Sequence, residues 1–238
     1  MAAAAGKVVF LEKPLGVDLT ASANLVESLQ DAGVPVAVNF TQAAGAALAN
    51  ISRAADTGTL GEIVGIDIIV TYETWPRGWQ KEADWLRFRA EGGMTREVLS
   101  HFLFFSERLL GPLEVVFAHP SYPADRSLCE THLLARLETP QQQAVSILAS
   151  EGGVQPDRQQ VTIKGSKKSR RVSEFSLDME SRGGTFVLLE DAPADRRAVA
   201  LKAQLDELKL CYEGKPHRLA TLTEAIRVQT LVEKMLAS

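Results

Sequence analysis

The feature that most constrains the fold is a strict alternation of apolar and polar side chains through the middle of the chain. Glycine pairs, Gly152-Gly153 and Gly183-Gly184, separate several of the alternating segments. This pattern predicts short strands with two unlike faces, joined into a mostly antiparallel sheet. The alternating apolar positions are Ile66, Ile68, Val70, Tyr72, Leu133, Ala135, Leu137, Val145, Ile147, Ala149, Val161, Ile163, Phe175, Leu177, Met179 and the run 186–189.

Helical periodicity accompanies these strands. Apolar residues step by three and four, and this spacing predicts helices that each bury one side. The predicted fold class is therefore α+β, an open sheet with helices on one face. On the other face we expect the apolar residues Ile69, Leu134 and Leu148. Exposed apolar side chains on a sheet face usually indicate a binding partner. The predicted helices cover residues 20–32, 41–56, 95–110, 198–212 and 222–232.

A second pattern lies near the N-terminus, where an apolar strand runs into Glu12-Lys13-Pro14. Pro14 removes a backbone donor and biases Lys13 toward an extended conformation. The helix 20–32 and the strand 36–40 follow, as in a parallel α/β unit. Side chains at the carboxyl ends of such strands face the ligand crevice, so Lys13 is a candidate site residue. The alternative is an ordinary surface lysine.

The segment GGMTREVLSH, residues 92–101, carries the other candidate chemistry. Glu97 and His101 are four residues apart, which places both on one side of a regular helix. A carboxylate there can orient the imidazole and raise its pKa, as suits a proton-transfer role. A surface ion pair, or a histidine buried beside Phe102 and Phe105, is the alternative.

These segments together resemble the Gfo/Idh/MocA oxidoreductases, whose nucleotide-binding domain ends in a strand, Glu-Lys-Pro, a helix and a second strand. Other segments match in the same order: 57–63 is similar to the family's helix-to-strand turn, 85–93 to its Trp-Arg…Gly-Gly segment, and 215–238 to its closing segment. The resemblance implies a remnant of a dinucleotide-binding Rossmann domain at residues 1–40. It also implies a C-terminal substrate and oligomerisation domain at residues 41–238.

The resemblance also implies site roles. Glu12, Lys13 and Pro14 lie against the cofactor, NAD or NADP in the intact family member. Lys13 and His101 face the substrate carbon next to the nicotinamide, and an acid accompanies them. Here that acid is Glu97 rather than the family's usual Asp, so its carboxylate lies about one methylene further from the backbone.

One family motif is missing from these 238 residues. Family members begin with a Gly-x-Gly-x-x-Gly turn that binds the dinucleotide pyrophosphate through backbone amides, and no such spacing occurs here. The chain therefore resembles a truncated member, and we expect it to bind NAD(P)H weakly or not at all by itself.

All three tryptophans lie in one loop between a strand and the Glu97 helix. With the neighbouring arginines they form an aromatic and cationic cluster of the kind found at both ligand and protein surfaces. A substrate-pocket wall, an oligomer contact and a carbohydrate-stacking platform all remain open. The candidate substrate-binding residues are Trp75, Arg77, Trp85 and Arg87.

Charge and composition exclude several classes. A net charge of −4 argues against nucleic acid as a partner, and the basic cluster 167–171 is interpreted as a solvated turn. Cys129 and Cys211 lack paired spacing, and Cys129 is predicted to be a buried thiol on a strand. The histidines lie too far apart in sequence to suggest a metal site. No apolar run reaches transmembrane length and no signal peptide is evident, so a cytoplasmic protein is expected.

Two functions remain. The first is an NAD(P)-dependent oxidoreductase that acts on a sugar-like or other small hydroxyl or carbonyl substrate, with Lys13 polarising the oxygen and His101 transferring the proton. The second is a non-catalytic dimeric scaffold or binding protein of the same ancestry. Both predict a homodimer or higher homo-oligomer through the open sheet face.

Overall fold

The computed structural model describes residues 2–238 and contains two sheets. The larger has eight strands in the order β10-β9-β8-β7-β3-β6-β5-β4, and every pairing except β3 with β6 is antiparallel. This confirms the predicted mostly antiparallel sheet. Its strands are β3 Ile63–Tyr72, β4 Glu114–Ser121, β5 His132–Glu138, β6 Ala144–Glu151, β7 Arg158–Gly165, β8 Ser169–Ser173, β9 Leu177–Ser181 and β10 Val187–Leu188.

Helices cover one face of this sheet, as predicted for the α+β class. The inward side chains of the central strands, among them Ile66, Leu133 and Val145, form one core with Phe102 and Val228 from the helices. The alternation found in the sequence therefore separates the core from the open face. The helices are α1 Leu19–Asp31, α2 Ala46–Asp56, α3 Ser100–Leu110, α4 Arg196–Tyr212 and α5 Leu222–Leu236.

A small parallel sheet forms the N-terminal part. Strands β1 Val9–Glu12 and β2 Val36–Asn39 pair in register, and α1 joins them. This unit is attached to the rest of the chain, since α1 packs on α5 and the Val38 amide donates to the Ala220 carbonyl at 2.9 Å. The division at residue 40 stays a prediction.

The open face carries a row of apolar side chains across three strands. Leu134 lies opposite Leu148, which lies opposite Ile69. The exposed fractions are 54% for Leu134 and 46% for Leu148, whereas residues at alternate positions on the same strands are buried. Apolar area of this kind is unfavourable in water unless something covers it.

Three local predictions are wrong. The basic cluster is largely strand β8, where Arg170 is 5% exposed and pairs with Asp178, so it is not a solvated turn. Cys129 is buried, but it lies in the loop before β5. Phe175 lies in a tight turn with a φ of +65°, not on a strand.

Candidate active site

Lys13 lies just after the carboxyl end of β1 and points into the protein. Its side chain is 7% exposed, and its Nζ donates to the Glu97 carboxylate at 2.7 Å and to the Glu97 carbonyl at 2.5 Å. A third, long contact of 3.4 Å reaches the Arg96 carbonyl. Burial lowers the pKa of Lys13, and the Glu97 carboxylate opposes that shift. The structure therefore joins two sequence-predicted residues that lie 84 positions apart.

The carbonyls that accept from Lys13 belong to a π-helical turn, Thr95–Leu99, which leads into α3. Such wide turns are rare and often mark functional sites. The predicted regular helix 95–110 is thus wrong in its first turn. Glu97 makes no hydrogen bond with His101 among the described residues, and its carboxylate pairs with Lys13 instead.

The two glycines before this turn are required by close packing. A side chain at Gly92 would collide with the Leu86 backbone. At Gly93, where φ is +103°, it would collide with the Glu130 carboxylate. That carboxylate accepts from the Thr95 amide at 2.8 Å and so caps the start of the turn.

His101 is buried in an aromatic enclosure. The rings of Phe40 and Phe175 lie nearly perpendicular to the imidazole at centroid distances of 5.8 and 5.7 Å, and its Nδ1 has no hydrogen-bond partner within residues 2–238. Burial, reinforced by the charges of Lys13 and Arg77, holds the pKa of His101 well below 6.5. The predicted rise in the His101 pKa is therefore wrong, and the imidazole is neutral at pH 7.

Arg77 lies beside this group. Its guanidinium carbon lies 5.2, 5.7 and 4.6 Å from the ring centroids of Tyr72, Trp75 and Trp79, and its Nε donates to the Gln80 side chain at 2.9 Å. Trp75 is anchored because its indole donates to the Leu86 carbonyl at 3.0 Å. Burial raises the pKa of Tyr72 to about 12, so its hydroxyl stays protonated.

Trp85 and Arg87 do not join this cluster. Trp85 is 48% exposed, and Arg87 forms an exposed ion pair with Asp84 and lies over the Phe88 ring. No hydrogen bond, ion pair or ring contact links either residue to Lys13 or His101 in the part of the chain that is described.

Glu12 and Pro14 flank Lys13. The Glu12 carboxylate accepts from the Asn39 amide at 3.0 and 3.2 Å, which ties the ends of β1 and β2 together. Pro14 lines a small cavity of about 10 Å³ with Phe40 and Gln229. Glu12 thus faces a neighbouring strand end, and Pro14 faces the core.

Sequence reasoning missed the residues that hold the site in place. Arg96 forms a two-pronged ion pair with Glu233 at 2.7 and 2.8 Å, and it also donates to the carbonyls of Arg89 and Gly92. This pair ties α5 to the π-helical turn. No local sequence pattern could have predicted this ion pair, since Arg96 and Glu233 lie 137 positions apart.

A dinucleotide pyrophosphate does not fit the start of α1, the helix that follows β1. Its usual site is a glycine-rich turn between a strand and a helix N-terminus. Here β1 leads to Lys13-Pro14, and the Asp18 carboxylate already occupies the start of α1 by accepting from the Ala21 amide at 2.9 Å. An anion at that terminus would face a carboxylate.

Residues 2–238 lack two further features. No group of three metal-ligating side chains is placed to hold an ion. No helix has the length and apolar character needed to cross a membrane.

Solved structures identify the fold. The WlbA dehydrogenase from Bordetella pertussis, in complex with NADH and UDP-GlcNAcA, is 23% identical with a TM-score of 0.77, over 99% of this chain and 71% of that one. An oxidoreductase from Agrobacterium radiobacter, in complex with NAD+, L-tartaric acid and magnesium, is 14% identical with a TM-score of 0.79, over 100% and 73%. UDP-N-acetylglucosamine 3-dehydrogenase GnnA from Acidithiobacillus ferrooxidans is 15% identical with a TM-score of 0.74, over 98% and 71%.

These structures are Gfo/Idh/MocA-type oxidoreductases, so the resemblance inferred from the sequence is confirmed at the level of the fold. This chain spans about 70% of their length. The sequence matches no protein-family model and no curated protein.

Proposed function

We propose that this chain is the substrate-binding and self-associating part of an NAD(P)-dependent oxidoreductase of the Gfo/Idh/MocA type. The substrate is a sugar-like or other small molecule with a hydroxyl or carbonyl group. The observation that carries the proposal is the buried ion pair of Lys13 with Glu97 at the end of a parallel strand, where the charge of Lys13 also acts on a neutral His101. Structures of the same fold solved with NADH and NAD+ support a nicotinamide dinucleotide as the cofactor.

The three groups suit acid–base chemistry at an oxygen atom. Lys13 is fixed by two short hydrogen bonds to Glu97, and its third contact is long, so one proton remains available for a substrate oxygen. A neutral His101 can accept the proton that a hydroxyl group loses on oxidation. The carbon also gives up a hydride, and the dinucleotide that would take it has no pyrophosphate site among the described residues.

A dinucleotide titration tests the cofactor part. The 238-residue chain alone should bind NADH and NADPH weakly or not at all, because it lacks the glycine-rich turn whose amides contact the pyrophosphate. Several charge-assisted hydrogen bonds at ~1.5–3 kcal/mol each correspond to several orders of magnitude in affinity. Nicotinamide fluorescence measures this directly, and micromolar binding would contradict the prediction.

The in-frame sequence upstream of Met1 provides the second arm of this test. If it encodes a strand and a Gly-x-Gly-x-x-Gly turn, the extended chain should bind the dinucleotide tightly, and Lys13→Met in that chain should abolish turnover while binding remains. Turnover unaffected by Lys13→Met would remove the proposed role of the lysine.

The second candidate function is a non-catalytic scaffold or binding protein. The apolar row on the open sheet face supports this function, because exposed apolar side chains favour binding to another surface even if the Lys13 site is inactive. Either function predicts a homodimer or higher homo-oligomer through this face. The two unpaired cysteines accord with the cytoplasmic location expected from the sequence.

A further inference from the structure

We propose that Arg77 binds a carboxylate group of the substrate, which makes that substrate a hydroxy acid or a sugar acid rather than a neutral polyol. The inference rests on the proposed function, because it assigns the class of molecule that the same site takes. It is drawn from the position, bonding and charge of Arg77.

Arg77 is held in place with part of its guanidinium unused. Its Nε and its backbone amide both donate to the side-chain oxygen of Gln80, which is 5% exposed, and its plane lies among three aromatic rings. Its two terminal nitrogens make no hydrogen bond within residues 2–238. A planar guanidinium with both terminal nitrogens free matches the two oxygens of a carboxylate.

The ion pairs of this region leave the Arg77 guanidinium available for one negative charge on the ligand. Lys13 and Glu97 neutralise each other, and His101 is uncharged at pH 7. Three further carboxylates lie in this region: Glu12, which accepts from Asn39, Glu151 beside Trp75 and Asp157 at the Glu73 amide. None of them forms an ion pair with Arg77. Arg77 therefore keeps one positive charge without a partner among the described residues.

This charge acts on the reacting groups. Desolvation is the main cause that lowers the pKa of both Lys13 and His101, and the charge of Arg77 adds to it, so the three side chains lie within range of one another's fields. A carboxylate on Arg77 would bring a small hydroxy acid to the same region as Lys13 and His101. It would also offset the positive charge that these two groups experience.

Matched ligand pairs test the inference on the 238-residue chain without any cofactor. D-Glucuronate is compared with D-glucose, and D-gluconate with D-glucitol, so the members of each pair differ by one carboxylate. Quenching of tryptophan fluorescence, with Trp75 and Trp79 against Arg77, and ligand-observed NMR report binding. At least one acid should bind at least about tenfold more tightly than its neutral counterpart, the contribution expected of one charge-assisted contact.

Two variants localise the effect. Arg77→Gln should abolish the preference for the acid, whereas Arg87→Gln, on the same loop but exposed and paired with Asp84, should keep it. If the Arg77→Gln variant does not fold, the salt dependence of acid binding by the wild-type chain is measured instead. Acid binding that weakens at least severalfold between about 0.05 and 0.5 M NaCl supports the ion pair, and salt-independent binding overturns it.

The outcomes separate this inference from the proposed function. Equal binding of acids and neutral partners, or no binding of either up to about 10 mM, overturns the inference and leaves oxidoreductase activity open. Acid binding that needs Arg77 supports the inference even if no version of the protein oxidises a substrate with NAD(P).

Discussion

At the scale of single residues, burial determines the chemistry more than sequence neighbours do. Glu97 is four positions from His101, yet its carboxylate pairs with Lys13, while the imidazole is enclosed by Phe40 and Phe175. Desolvation therefore lowers the His101 pKa where sequence spacing predicted a rise. The lowered pKa keeps the imidazole neutral at pH 7, so a ring nitrogen can accept a hydrogen bond from a bound hydroxyl group, although it is a weaker base than an exposed histidine.

This burial predicts a pH-dependent stability with a defined sign. The native His101 pKa lies below the unfolded value of about 6.5, so below pH 6.5 the unfolded chain takes up a proton that the native chain does not. The free energy of unfolding should then fall as pH falls, by up to ~1.4 kcal/mol per pH unit from this residue. His101→Gln should flatten the dependence.

Urea unfolding at pH values between about 5 and 8 measures the effect. His132→Gln is the control, because His132 lies exposed on β5 and its loss should leave the slope as in the wild type. A full wild-type slope in His101→Gln would show that another group causes the acid sensitivity.

At the scale of elements, the π-helical turn depends on a tertiary contact at its start. Glu130 reaches it from the loop before β5 and accepts from the Thr95 amide, in the space that the absent side chain of Gly93 leaves open. Burial raises the Glu130 pKa, and the hydrogen bond from Thr95 opposes that shift. Gly93 is therefore needed mainly for this close approach.

Replacing Gly93 by Ala should therefore cost more than replacing a glycine in open space. Gly153 has a φ of +82° and no atom within 4 Å of the position that a β-carbon would take, so it is the matched control for backbone strain. Gly153→Ala should cost about 1 kcal/mol, whereas Gly93→Ala should cost at least about 1.5 kcal/mol more, because it displaces a buried carboxylate from its donor.

Chemical denaturation of both variants gives the comparison. Equal losses would mean that Glu130 can move without cost and does not hold the turn. A larger loss for Gly93→Ala, with an unchanged dependence on denaturant, would assign the difference to the native state.

At the scale of the whole molecule, one face of the eight-stranded sheet is covered by helices and the other is open. Leu134 and Leu148 lie on the open face next to Ile69, where each keeps about half of its side chain in water. Burying such a row against a second copy would be favourable at ~25 cal/mol per Å² of apolar area.

A charge in the middle of this row should prevent self-association. We expect the wild-type chain to be a dimer by light scattering at tens of micromolar, and Leu148→Lys to be a monomer, because a lysine there would be buried without a partner. Leu205→Lys is the control, since Leu205 is 55% exposed on α4, away from this face. A wild-type monomer would contradict the proposed interface.

The sequence alone determined the fold class and much of the element order. Alternation at period two marks strands well when one face is buried and the other is polar, as in β5 and β6. It failed at β4, whose bulge between Val115 and Phe117 breaks the alternation, and at β8, whose charged residues pair across strands. Lys13, Glu97, His101 and Arg77 were identified as candidates because they stand next to strong local signals.

Only the tertiary structure decided which of these residues meet. The pairing of Lys13 with Glu97, the enclosure of His101 and the attachment of Arg96 to Glu233 join positions far apart in the chain. Local sequence patterns carry no information about such contacts, because they depend on how sheets and helices pack. The same packing separated Arg77, which faces the buried groups, from Trp85 and Arg87, which remain at the surface.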